Sequence, residues 1–306
     1  MLLAAIVLQN LALLAVIAGL LLARGGPFRP RIAIIAAASV FIGGMFLAGV
    51  WVYPPPWGRA VYLALFVLAS LRFLRRKPLP VRRRRLNGIL VAPCLTAVGA
   101  VLIWQGIAGR LAPSENHISL APPLEVSAGH CALSAGASTA LNLHYVESGS
   151  TAASFEKHSV DFIKANRFGF RTTAGKSFHP KPTSNGEYAV FGAKVVAPCD
   201  GTVIESENDR ADVRPGHRYR SNDGANLVTL ACKGSEVLLA HFRQGSVRVA
   251  VGDQIREGMF LGEVGNSGNT EEPHLHIHAQ LRSPDGSLSA VPMRFNGRYL
   301  ARGDCL

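Results

Sequence analysis

The chain has 306 residues and a formal net charge of +12, and this charge belongs to its first part. Residues 1–114 hold 13 of the 32 Lys and Arg residues and none of the 20 Asp and Glu residues, so residues 115–306 are nearly neutral and contain all ten histidines. Basic residues that alternate with long apolar runs exclude a nucleic-acid partner, an ordinary cytosolic enzyme and a disordered chain.

Four apolar runs occupy the first part, at residues 2–23, 32–52, 60–74 and 89–108. Three of them have about the 20 apolar residues that a helix needs to cross a bilayer. The run at 60–74 is shorter and carries Arg72, so it is the weakest candidate. We therefore predict a helical membrane region over residues 1–110, with three to four transmembrane helices.

Lys and Arg concentrate in two of the connections between these runs. Three arginines lie between the first and second runs, and seven basic residues, including an arginine cluster at 82–85, lie between the third and fourth. The positive-inside rule places both connections in the cytoplasm. The sequence thus predicts an integral cytoplasmic (inner) membrane protein that contacts membrane lipid, with everything after Arg110 on the periplasmic, extracytoplasmic side.

The exported part is predicted to begin with a linker at residues 111–131, which is rich in Pro, Ser and Ala and shows no periodicity. From residue 132 to 306, short apolar runs alternate with turn sequences, which indicates an all-β, mainly antiparallel domain. The predicted strands lie at 141–146, 159–163, 193–196, 201–204, 226–231, 236–241, 254–255, 260–264 and 274–281.

Four of the five cysteines lie in this exported part, where the compartment is oxidising. Four cysteines allow three pairings. We prefer Cys199–Cys232, whose members flank strand-like runs, and Cys131–Cys305, whose members bracket the domain.

The densest chemistry is in the last long predicted strand. Successive side chains of a strand point to opposite faces, so His274, His276 and His278 share one face while Leu275 and Ile277 enter the core. Imidazoles bind metals and transfer protons near neutral pH. Three of them at a period of two residues therefore predict a metal or catalytic site.

Several motifs occur in the order and spacing of one known family. They are the run 196–203 (VAPCDGTV), Leu239-Ala240-His241, Val251-Gly252-Asp253, the run 264–269 (VGNSGN) and the run 272–276 (EPHLH). Together, over about residues 142–280, they resemble the lysostaphin-type zinc metalloendopeptidases of bacterial cell walls. The resemblance implies a lysostaphin-like (duplicated hybrid motif) β fold, a Zn²⁺ cofactor, and peptidoglycan or another envelope peptide as substrate.

The resemblance also implies roles for individual residues. His276 would be a zinc ligand, and Asp161 fits the carboxylate ligand. His274 would orient or deprotonate a zinc-activated water, and His241 would stabilise the oxyanion formed when that water attacks a peptide carbonyl. Zinc held by imidazoles and a carboxylate, with a position left for water, suits peptide hydrolysis.

The first histidine ligand departs from the family pattern. The family has it four residues before the aspartate, and that position is Lys157 here. His158 is three residues before and would face away on a regular strand unless a β-bulge re-aims it. A hairpin between the two predicted strands around this point would place His144 directly opposite Asp161. His144 is therefore preferred as the metal ligand, and His158 stays open.

Two functions remain in view. The first is a membrane-anchored zinc metalloendopeptidase. The alternative is a non-catalytic, envelope-tethered binding or regulatory module on the same fold, but degenerate relatives of that kind lose zinc ligands or catalytic histidines, which this chain retains. The enzyme is the favoured hypothesis. Transport has little support because the apolar runs contain neither acidic residues nor histidine.

Overall fold

The computed structural model describes residues 2–23, 27–77, 87–114, 116–126, 129–145, 154–176, 182–216 and 224–306. The chain divides into two compact units, Met1–Ala108 and Gly109–Leu306. The arginine cluster at 82–85, on which the predicted orientation depends, lies outside the described residues.

The first unit is helical. Its described helices are α1 (Leu2–Leu22), α2 (Phe28–Ala48), α3 (Gly58–Arg75) and α4 (Asn87–Ala108). Within the described residues, Leu3–Leu22, Phe28–Ala48 and Val91–Ala108 are long and apolar enough to cross a membrane, which confirms three of the predicted runs as candidate spans. The weakest run forms α3, a helix of 18 residues that contains three arginines and does not reach the same apolar composition.

Two glycines let α2 and α4 approach each other closely. A Cβ atom added to Gly44 would lie 2.6 Å from the carbonyl oxygen of Gly99, and one added to Gly99 would lie 2.6 Å from the backbone nitrogen of Phe41. Without a hydrophobic driving force in lipid, such close backbone packing is a main source of helix association.

The second unit is built from β-strands. They are β1 (Ile118–Leu120), β2 (His130–Ser134), β3 (Val160–Lys164), β4 (Lys194–Val196), β5 (Gly201–Glu207), β6 (Leu227–Cys232), β7 (Ser235–Ala240), β8 (Gln254–Ile255), β9 (Phe260–Glu263), β10 (Leu275–Arg282), β11 (Leu288–Val291) and β12 (Met293–Phe295).

The largest sheet has the strand order β2-β3-β10-β7-β6-β5-β8, with β11 beside β10. The strand pairs described within this sheet are antiparallel. β4 pairs with β9 in antiparallel fashion, and β1 pairs with β12 in parallel. The helical region followed by a mainly antiparallel β domain confirms the predicted fold class.

The segment predicted as a linker contributes to the domain. Within residues 111–131, β1 pairs with β12, and the first two residues of β2 pair with β3. Ile118 and Leu120 are buried in the core of the unit. The linker interpretation is wrong here because a strand of three residues is too short to show a period in the sequence.

The strand predicted at 141–146 is also wrong, since the described residues 141–145 form turns. Asn142 is the physical reason. Its Oδ1 accepts a hydrogen bond from the backbone N–H of His144 at 3.0 Å, and its Nδ2 donates to the carbonyl oxygens of Gly136 at 3.1 Å and Ser159 at 3.1 Å. Asparagine stabilises turns through such bonds to its own backbone. β3 pairs instead with β2 and β10.

Both predicted disulfides are confirmed: Cys131 is bonded to Cys305 and Cys199 to Cys232. They connect positions 174 and 33 residues apart in sequence. By the loss of chain entropy in the unfolded state, loops of these lengths correspond to roughly 5 and 4 kcal/mol of stabilisation. The cross-links therefore hold together the domain that positions the candidate site.

Candidate metal centre

The site lies on the outer face of β10. Leu275, Ile277 and Ala279 point into the core, so His276 and His278 lie on the opposite face, as the alternation predicts. His276 lies opposite Asp161 of β3 on one side and opposite Ala240 of β7 on the other.

Three side chains converge there. The Nε2 atom of His144 lies 3.1 Å from Oδ2 of Asp161, and the Nδ1 atom of His276 lies 2.9 Å from Oδ1 of the same carboxylate. One donor atom from each of the three residues falls within 4.8 Å of the others. Two imidazoles and a carboxylate are a donor set that zinc binds readily. Nδ1 of His144 contacts Oε2 of Glu156 at 3.2 Å, the type of outer contact that orients a metal-binding imidazole.

The charges of this group favour a cation. Burial alone would raise the pKa of Asp161, but the positive charges of His144 and His274 hold it well below the ordinary value. Burial opposes a charge on His144, yet Asp161 and then Glu156 raise the pKa of that imidazole to about 10. The carboxylate is thus paired with a protonated imidazole, and a metal ion could replace the proton, because metal ligands must be deprotonated.

The orientation of His274 is set by its backbone surroundings. Its Nδ1 atom lies 2.8 Å from the carbonyl oxygen of Glu272 and 3.2 Å from Oγ1 of Thr270. A carbonyl oxygen only accepts, so Nδ1 carries a proton and Nε2 is the nitrogen that can take up or release one. Nε2 faces the converging donors, 3.7 Å from Oδ1 of Asp161.

His241 follows β7 directly and has the same tautomer. Its Nδ1 atom donates to the carbonyl oxygen of Ser267 at 2.7 Å, and its ring centroid lies 4.5 Å from that of His274. Burial, followed by the charges of His274 and His276, holds the pKa of His241 well below its ordinary value, so the ring is neutral. The backbone of His241 has φ +69°, a conformation that non-glycine residues rarely adopt. Residues with such strained backbones are concentrated at functional sites.

The two candidates for the first histidine ligand are clearly separated. His144 contacts Asp161, although through the turn at Asn142 and not through the predicted hairpin. His158 is buried elsewhere, with its ring against Tyr145 and Tyr299, and belongs to neither donor group found among the described residues.

Sequence reasoning missed Glu156 and assigned no individual role to His278. Together with His276 they form a second group whose donor atoms lie within 4.8 Å of one another. Burial and the charge of His276 lower the pKa of His278 to about 3. The position of His278 two residues beyond His276 was a usable signal, whereas no sequence pattern places Glu156 near β10.

Comparisons with known proteins agree with the motifs. Residues 187–286 match the family model described as Peptidase family M23, and this range includes His241, His274 and His276 but neither His144 nor Asp161. Endolysin 2638A of Staphylococcus phage 2638A is 34% identical over 92 residues, which are 30% of this chain and 17% of the endolysin, so the chain spans about a sixth of that relative.

Solved structures are similar in parts. Lysostaphin from Staphylococcus simulans is 21% identical with a TM-score of 0.24, covering 36% of this chain and 46% of lysostaphin. The M23 metalloprotease pseudoalterin is 14% identical with a TM-score of 0.35, covering 62% of this chain and 98% of pseudoalterin. The family match confirms the resemblance found in the sequence.

Proposed function

The chain carries a domain that matches Peptidase family M23 over residues 187–286, and its first unit contains apolar helices of membrane-spanning length; on this premise we propose that it is a membrane-anchored zinc metalloendopeptidase acting on peptidoglycan. The observation that carries the proposal is the convergence of His144, Asp161 and His276 on one point. His241 and His274 lie next to that point, and the Nδ1 atom of each contacts a backbone carbonyl oxygen. The three converging residues would hold the zinc.

The surrounding histidines would move the protons of the reaction. When bound, zinc supplies a Lewis acid that makes water nucleophilic near neutral pH. His274 would accept a proton at Nε2, because its Nδ1–H is engaged with Glu272. Nε2 of His241 would take up a proton from solvent as the peptide carbonyl is attacked, because the negative charge that develops on the carbonyl oxygen offsets the effect of burial, and it would donate that proton in a hydrogen bond to this oxygen.

Zinc content tests the metal site. The full chain in detergent, dialysed against trace zinc, should bind about one zinc per chain by elemental mass spectrometry. His144→Ala and His276→Ala should remove the zinc, whereas His158→Ala, a matched control, should keep it. Zinc lost with His158→Ala and kept with His144→Ala would transfer the ligand role to His158, and a wild type without zinc would refute the site.

Activity is tested separately on purified peptidoglycan, by measuring newly formed amino termini. The wild type should release them, and His274→Ala should not, while retaining its zinc. A zinc-loaded wild type that releases none would refute the peptidase and favour the envelope-tethered binding module.

The proposed location follows from the basic connections of the membrane region. Proteolysis of spheroplasts from cells that express the chain should digest the β domain from outside without lysis. Protection of that domain until lysis would place it in the cytoplasm and refute the orientation.

A further inference from the structure

A line of hydrogen-bonded side chains runs from the metal centre to the surface along the outer face of β10. Nε2 of His276 lies 2.9 Å from Nδ1 of His278, and Nε2 of His278 lies 3.3 Å from Oε1 of Gln280. Nε2 of Gln280 donates to Oε2 of Glu236 at 2.8 Å. Gln280 and Glu236 are directly opposed across the β10–β7 pair. Arg282 completes the line by binding both carboxylate oxygens of Glu236 at 2.6 and 2.9 Å.

The outer end of this line has a fixed polarity. A carboxylate only accepts hydrogen bonds, and the hydrogen bond from Arg282 lowers the pKa of Glu236, so that group is ionised. The amide NH₂ of Gln280 must therefore face Glu236. The amide oxygen of Gln280 then faces the ring of His278 and can only accept from it.

The polarity passes inward through the two rings. Because Gln280 accepts, Nε2 of His278 donates, and a ring that holds its one proton at Nε2 offers Nδ1 as the acceptor, 2.9 Å from Nε2 of His276. Nε2 of His276 must then donate to it. The proton of His276 is held at Nε2, and Nδ1 is the nitrogen whose lone pair can face an ion. Nδ1 lies 2.9 Å from Oδ1 of Asp161, on the side where the donor atoms of the metal centre converge.

We propose that Glu236, acting through Gln280 and His278, is a positioning residue that selects the nitrogen with which His276 binds the metal. This inference rests on the proposed zinc site. The line from Glu236 through Gln280 and His278 to His276, called the relay below, also decides between the two donor groups. It keeps a proton on Nε2 of His276, the nitrogen that faces His278, and leaves Nδ1, which faces Asp161, to bind the ion. The ion therefore takes the group with His144 and Asp161.

The relay is tested with three variants of the full chain in detergent, using zinc competition against a chromophoric chelator. In Glu236→Gln the new amide can donate, the orientation of Gln280 is no longer fixed, and zinc affinity should fall about tenfold, as for other outer partners of metal ligands. Arg282→Met breaks the same ion pair but leaves an acceptor-only carboxylate, so affinity should stay near that of the wild type. The double variant Glu236→Gln/Gln280→Glu restores an acceptor facing His278 and should restore the affinity.

Each outcome has one meaning. If Glu236→Gln binds zinc as tightly as the wild type, the relay is refuted. It is also refuted if Arg282→Met loses as much zinc affinity as Glu236→Gln, because the loss would then come from breaking the ion pair alone. NMR of the wild type with selectively ¹⁵N-labelled histidine shows directly which ring nitrogen of His276 carries the proton. The signals of His276 are assigned as those missing from the spectrum of His276→Gln. An unprotonated Nε2 overturns the relay even if a variant fails to fold. Absence of zinc binding in the wild type would instead refute the proposed function, while the labelling still tests the relay.

Discussion

Arg171 and Glu272 form a buried ion pair next to the proposed metal centre. Nε of Arg171 lies 2.9 Å from Oε2 of Glu272, and the two side chains are 8% and 9% exposed. The backbone oxygen of Glu272 also holds His274. Arg171→Met keeps much of the side-chain volume and removes the charge. The carboxylate of Glu272 is then left buried without its cation.

The expected loss of unfolding free energy can be bounded. Removing one partner of a buried ion pair costs about 3–5 kcal/mol. Arg171→Met should therefore lose several times the free energy that an exposed pair contributes, which is about 1 kcal/mol or less.

Hydrogen exchange of peptides from β10, measured in the full chain and corrected for intrinsic rates, reports this loss of unfolding free energy. The double variant Arg171→Met/Glu272→Met should lie within about 1 kcal/mol of the wild type, because an apolar pair needs no compensation. Arg243→Met, which breaks the exposed pair with Glu263, should cost less than about 1 kcal/mol. A loss below about 1 kcal/mol in Arg171→Met, or an equal loss in Arg171→Met and the double variant, would refute the reasoning.

Three further predictions concern stability. Asn226→Ala should destabilise the β domain by about 2–4 kcal/mol in the same exchange experiment. The side-chain amide of Asn226 is fully buried and forms hydrogen bonds with three backbone groups, which would lose their partner. A loss under about 1 kcal/mol would contradict this prediction. Gly44→Ala should lower the melting temperature in detergent, because its Cβ would meet the backbone of Gly99. Gly43→Ala is the control and should leave the melting temperature unchanged, since the space around Gly43 is open. Equal effects of the two variants would argue against close packing of α2 and α4. Burial lowers the pKa of His130, so as the pH falls below about 6.5 the unfolded chain takes up a proton before the folded domain does. The free energy of unfolding should therefore decrease by up to about 1.4 kcal/mol for each unit by which the pH is lowered in this range. His130→Asn should reduce that slope, as measured by urea-dependent proteolysis at several pH values, and an unchanged slope would exclude this contribution.

Local patterns in the sequence were sufficient for much of this protein. Apolar runs of about 20 residues predicted the candidate spans, because the thickness of a bilayer sets that length directly. The period of two residues placed Leu275 and Ile277 in the core and His276 on the opposite face, because the strand geometry of β10 is local. The disulfide pairs were also predictable from their positions beside strand-like runs and at the domain ends.

His144 shows where such reasoning stops. The sequence favoured it through a hairpin that the structure lacks, and it reaches Asp161 because Asn142 forms a turn through contacts with distant backbone groups. Such contacts depend on where β2 and β3 lie after folding. No period in the sequence reports them.

Residue types and their alternation thus determined the membrane region, the β domain and the histidine face of β10. Only the tertiary structure decided which histidine meets Asp161, that Glu156 lies beside them, and that Glu236 is linked to His276 through Gln280 and His278. The physical reason is that a side chain's direction along a strand is set by its neighbours in sequence. Its partners across a sheet are set by strand order and register, which the packing of the whole core selects.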